Sequence, residues 1–229
     1  MKEKVRNYSL EIANAINSYL KQDDWHFSFD EENGLFRFGL SLSSKIKKIN
    51  YIVDVKEDEY IVYAIAPIGA DEEDKKMMAT MAEFVCRANY GLKNGNFELD
   101  MRDGEVRFKC FVDCESITPS KDMVQNSIHC PAIMFKRYGS GIVDIIFGNV
   151  TATEAVERCE KAAENEIRSL LTELMEGEGE HSETLAKLAE RMGSSEDDDE
   201  PYDAGCVPAM IKTDLFGSEG DDAVSYTHL

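Results

Sequence analysis

Hydrophobic positions along the chain change period several times, and each change marks an element. Between Lys4 and Lys21 the apolar residues Val5, Tyr8, Ile12, Ile16, Tyr19 and Leu20 recur three and four apart, the stripe of an amphipathic helix. The period then drops to two. In FSFDEENGLFRFGLSL, starting at Phe27, apolar side chains alternate on both sides of Glu31-Glu32-Asn33-Gly34. Asn and Gly tolerate the positive φ of a tight turn, so the stretch reads as a hairpin. Two more strands, INYIVDV and YIVYAIAP, flank the charged turn KEDE, and Pro67 ends the run because it lacks the amide donor a strand interior needs. A second helix is expected from Asp71 to Leu92. Its opening DEED suits the positive end of the helix dipole, Met77, Met78, Met81, Phe84, Val85 and Ala88 form its apolar face, and Gly91 stops it. A second hairpin follows, with Phe97, Leu99 and Met101 before the Asp103-Gly104 turn and Val106, Phe108, Cys110 and Val112 after it. From Thr118 the helical period returns through Val124, Ile128, Pro131, Phe135 and Tyr138. A kink is expected at Pro131, and YGSG should loosen the segment behind it. Thr151 and Glu154 then make a capping-box pattern for a last helix.

The two hairpins are near copies. FSFDEENGLFRF (Phe27 to Phe38) and FELDMRDGEVRF (Phe97 to Phe108) align without gaps as F-x-[FL]-D-x-x-[ND]-G-x-[FV]-R-F, and each follows an amphipathic helix. The expected fold is therefore α+β: a mostly antiparallel sheet built from two helix-hairpin halves, with two further strands between them and helices covering one face. Residues 1–175 would form this domain. Beyond it, residues 176–229 carry 15 acidic and 3 basic residues, a composition too polar to fold alone, and read as an acidic, mostly disordered tail. Within that tail CVPAMIKTDLF sets Val207, Met210, Ile211, Leu215 and Phe216 among acids, the pattern of a docking motif.

Charge narrows the partners. A formal net charge of -20 opposes nucleic acid and anionic membranes, since binding either takes positive charge to displace counterions. No apolar run approaches the roughly 18 residues of a membrane span, and the amphipathic N-terminal stretch has no secretory apolar core. A soluble, cytoplasmic protein is expected. Its six cysteines stand singly, without a CxxC pair, so reduced and mostly buried thiols are expected.

Candidate chemistry is sparse. Asp30 and Asp100 flank glycine turns, but Arg102 sits where a calcium loop needs an oxygen ligand, so the acids read as turn residues satisfying local amides. Cys110, Cys114, His129 and Cys130 have the donor types of a zinc site. Cys110 and Cys114, however, lie about 13 Å apart along a strand, too far to share one ion. No G-x-S-x-G elbow, HExxH or phosphate-cradling loop is present, and His129 and Cys130, as helix neighbours, point about 100° apart. The sequence points away from an enzyme and calls for no cofactor. Arg37 and Arg107 occupy matching repeat positions, where cross-strand acids are the ordinary partners. The methionines Met77, Met78 and Met81 read first as core and second as an adaptable surface for apolar recognition.

MAEFVCRANYGLKNGNFELDMRDGEVRFKCFVD resembles the YbjN-domain family of bacterial proteins. The likeness rests on Asn89, Gly95, Phe97, Leu99, Asp103, Gly104, Val106 and Phe108, with AIAP before the second helix and FGNVTATEAVE afterward. It covers residues 5–165, and no residue within it is catalytic. The resemblance implies a fold similar to type III secretion chaperones, pairing as a homodimer and binding extended segments of partner proteins. The resulting expectation is a non-enzymatic, chaperone-like or regulatory domain that recognises apolar segments of another protein. Met77, Met78, Met81, Val207, Met210, Ile211, Leu215 and Phe216 are its candidate partner contacts. The rival is a small-molecule or zinc sensor built on Cys110, Cys114, His129 and Cys130.

Overall fold

A computed structural model describes residues 7–176. The tail with its candidate contacts Val207, Met210, Ile211, Leu215 and Phe216 lies outside the described residues. Among the described residues ten elements follow one another: α1 Leu10–Gln22, β1 Phe27–Asp30, β2 Leu35–Ser41, β3 Lys48–Val55, β4 Glu59–Ile65, α2 Lys75–Asn89, β5 Asn96–Leu99, β6 Val106–Asp113, α3 Lys121–Gly148 and α4 Ala152–Glu176. The strands form one sheet in the order β1-β2-β3-β4-β6-β5, with every pairing antiparallel. The α+β expectation holds. Each repeat hairpin occupies one edge of the sheet, and β3 and β4 join them at the centre.

The two repeats share their register as well as their sequence. Phe27 lies opposite Phe38 and Phe29 opposite Phe36, just as Phe97 lies opposite Phe108 and Leu99 opposite Val106. Their turns close alike: the Gly34 amide donates to the Asp30 carbonyl at 2.9 Å, and the Gly104 amide to the Asp100 carbonyl at 2.8 Å. Both glycines sit at positive φ, +72° and +74°, where a side chain is strained. The Asp30 carboxylate accepts from the amides of Glu32 and Asn33, and the Asp100 carboxylate from the amide of Arg102. The repeated aspartate is thus a turn device.

Alternation places one face of the sheet against helices. Phe36, Phe38, Ile49, Tyr51, Val53, Tyr60, Val62, Phe97, Phe108 and Cys110 are buried there with Ile16, Leu20, Phe84, Ile128 and Phe135 from the helices. The helices start later than periodicity suggests, because capping side chains decide. Ser9 accepts from the Ile12 amide, and Asp74 from the amides of Lys76 and Met77, so α2 begins after the DEED acids. At α4, Thr151 and Glu154 bond reciprocally, as the capping box requires.

In α3 the YGSG segment expected to loosen stays helical. The helix runs without interruption across Pro131 and through Tyr138-Gly139-Ser140-Gly141. Two sheet tyrosines serve the polar groups just before the proline. The Tyr51 hydroxyl donates to the Ile128 carbonyl at 2.8 Å, and the Tyr60 hydroxyl bonds the Ser127 hydroxyl at 3.0 Å. Burial holds both phenols neutral, pushing Tyr60 up to about 12. The glycines admit neighbours instead of loosening the chain: a Cβ on Gly141 would lie 2.5 Å from the Phe84 ring and 3.0 Å from Cys159 Sγ. Close packing outweighs the weak helix propensity of glycine here.

Candidate functional site

Four groups of residues raised as candidates fall in different environments. Met78 and Met81 are 4% and 0% exposed and belong to the core, while Met77 is half-buried with its sulfur accepting from the Asp71 amide. The methionine face is therefore turned inward, and Met78 and Met81 are corrected from partner contacts to packing residues. The reason is geometric: α2 lies against β5, α3 and α4, which take its apolar stripe. Arg107 meets Glu98 across the strand pair at 2.8 Å and lies over the Tyr63 ring. Arg37 is opposite Ser28 and exposed.

The thiol and imidazole candidates separate. The His129 Nε2 and the Tyr19 hydroxyl share a hydrogen bond of 2.9 Å. Cys114 is buried just beyond the end of β6. Cys110, from β6, and Cys130, from α3, both meet the Asn94-Gly95 turn, Cys130 Sγ donating to the Asn94 carbonyl and Cys110 Sγ lying against Gly95. Among the described residues, no three or more His, Cys, Asp or Glu side chains gather in an arrangement that could hold a metal ion.

The sheet edges differ, and sequence reasoning missed the difference. Because Asp100 donates its amide to the Glu105 carbonyl, the next inward-bonded pair is Glu98 with Arg107, and the amide and carbonyl of Phe97 must point away from β6. Both are taken up by a side chain. Asn89, the last residue of α2, donates its amide to the Phe97 carbonyl at 2.9 Å and accepts from the Phe97 amide at 2.7 Å. It pairs with β5 as a neighbouring strand would. The edge on this side is clasped.

At the other edge the repeat sets the same parity, so the amides and carbonyls of Phe27 and Phe29 point outward from β1. The residue eight places before Phe27, matching Asn89 before Phe97, is Tyr19, and its hydroxyl is directed to His129 instead. That edge opens onto a groove of about 770 Å³ between β1 and α1. Leu10, Asn14, Asn17 and Lys21 form its helical wall, and Trp25, Phe27 and Phe29 supply half-buried aromatic surface. Phe29 stacks on Phe36, and Trp25 packs edge-on against Phe38, which fixes the aromatic floor in place. The signal in the sequence was the eight-residue offset, which carries Asn in one copy and Tyr in the other.

Among the described residues no helix is long and apolar enough to cross a membrane. No protein-family model matches the chain, and no curated protein matches it.

Proposed function

We propose that this chain is a non-enzymatic, chaperone-like or regulatory binding module, and that its β1 edge takes an extended segment of another protein as an added strand. One observation carries the reading: Phe27 and Phe29 present outward backbone groups beside an aromatic-floored groove, while the twin edge is clasped by Asn89. Strand addition draws affinity from main-chain hydrogen bonds and selectivity from pockets for alternate side chains. The occupant is therefore an extended peptide with apolar residues at every second position, facing Trp25, Phe27, Phe29 and Leu10. The resemblance to the YbjN-domain family, with its implied chaperone-like fold and binding of extended partners, supports the same reading. The cytoplasm is the proposed location.

The test is selection of peptides from a random-sequence display library with the full chain, followed by affinity measurement. Selected peptides should share alternating apolar positions. Leu10→Arg and Asn14→Arg, both on exposed positions of the groove wall, should weaken them at least tenfold. Tyr90→Arg, on a residue 83% exposed outside the groove, should leave them unchanged. Selected peptides indifferent to Leu10→Arg and Asn14→Arg would remove the proposal.

A further inference from the structure

Of the four residues raised as metal ligands, two are brought together by the fold. Cys110 lies in the middle of β6 and is fully enclosed, and Cys130 lies on α3 and is half-buried. The turn that opens β5 covers both sulfurs. Cys130 Sγ donates to the Asn94 carbonyl at 3.6 Å, and Cys110 Sγ would stand 2.9 Å from a Cβ placed on Gly95, the next residue. Two thiols under one two-residue turn, from elements packed directly on each other, form a preassembled pair. Neither is in a disulfide, and the groove at β1 does not involve them.

We propose that Cys110 and Cys130 are a modification site that hydrogen peroxide converts to an intramolecular disulfide, joining β6 to α3. The less buried Cys130 reacts first. Its thiolate attacks one peroxide oxygen, the O–O bond breaks, and the leaving oxygen departs as water after taking a proton, which leaves a sulfenic acid. Cys110 sulfur then attacks the Cys130 sulfur. The S–S bond forms, the S–O bond breaks, and hydroxide leaves with the Cys110 proton as a second water. Two electrons pass from the two sulfurs to the peroxide. Exposure sets this order, and the electrostatics agree with it: the neighbouring Cys110 thiol lowers the pKa of Cys130, while the Cys130 sulfur and burial raise that of Cys110. Cys86 is exposed, and Cys114 and Cys159 are buried elsewhere.

The test treats the folded full-length chain with hydrogen peroxide and maps peptides without reduction. The expected result is a cross-linked pair of peptides containing Cys110 and Cys130, two fewer titratable thiols, and full reversal by dithiothreitol. The oxidised form should also melt at higher temperature, because the bond closes a loop of about twenty residues in the unfolded chain. Cys130→Ser should abolish the cross-link. Cys110→Ser should leave a sulfenic acid on Cys130 that dimedone labels. Should Cys110→Ser fail to fold, Cys130→Ser and the wild-type map decide the matter alone. Oxidation of Cys130 to sulfinic acid without a cross-link, or a cross-link formed only in denaturant, would overturn the proposal.

Discussion

At Gly104 the backbone must hold φ at +74° while its carbonyl accepts the Ala70 amide at 3.0 Å. A Cβ there would overlap the Ala70 carbonyl, so Gly104→Ala meets both backbone strain and a steric clash. The expected loss is about 2–3 kcal/mol, read from urea unfolding with an unchanged denaturant slope. Its neighbour Asp100 makes a different prediction. The Arg102 guanidinium and amide both donate to its carboxylate and hold its pKa down at about 2. The folded value lies below the ordinary aspartate value near ~4, so this contribution is complete above about pH 4 and is lost as the pH falls through about 2. Unfolding midpoints of the native chain and of Asp100→Asn should differ at pH 7 and converge between pH 4 and 2. A gap that stays constant over that range would show that the charge is irrelevant. The repeated F-x-x-D-x-x-x-G spacing made both residues legible as turn formers, because a tight turn leaves few residue choices.

Between elements, Asn89 is the residue that decides which edge of the sheet is closed. Its amide satisfies both outward backbone groups of Phe97, so Asn89→Ala leaves an N–H and a C=O half-buried without that partner. The expected cost is about 1–3 kcal/mol, and the Phe97 amide should lose its hydrogen-exchange protection. A Phe97 amide that remains protected in Asn89→Ala would refute the clasp. Element types were readable from periodicity because hairpins and amphipathic helices each bury one face. The course of α3 was not, since Gly139 and Gly141 look like loosening residues until Ile46, Phe84 and Cys159 are seen pressed against them. Helix starts were misplaced for a related reason: a single cap, Ser9 or Asp74, fixes the boundary where the apolar stripe leaves it open.

In the molecule as a whole, a duplicated helix-hairpin unit yields two edges that differ in chemistry. The duplication was visible in the sequence and correctly gave the architecture. The asymmetry was not, because it depends on where the outward groups of Phe27 and Phe97 point, which follows only from the pairing register. For the methionine face the structure takes the first of the two readings, core, for Met78 and Met81, a choice that apolar periodicity alone leaves open. Amide hydrogen exchange of the free chain and of its complex with a selected peptide shows directly which sheet edge is filled. The Phe97 amide should be protected throughout, while those of Phe27 and Phe29 should exchange readily in the free chain and become protected in the complex. Peptide-dependent protection appearing elsewhere, with Phe27 and Phe29 unchanged, would contradict strand addition at β1.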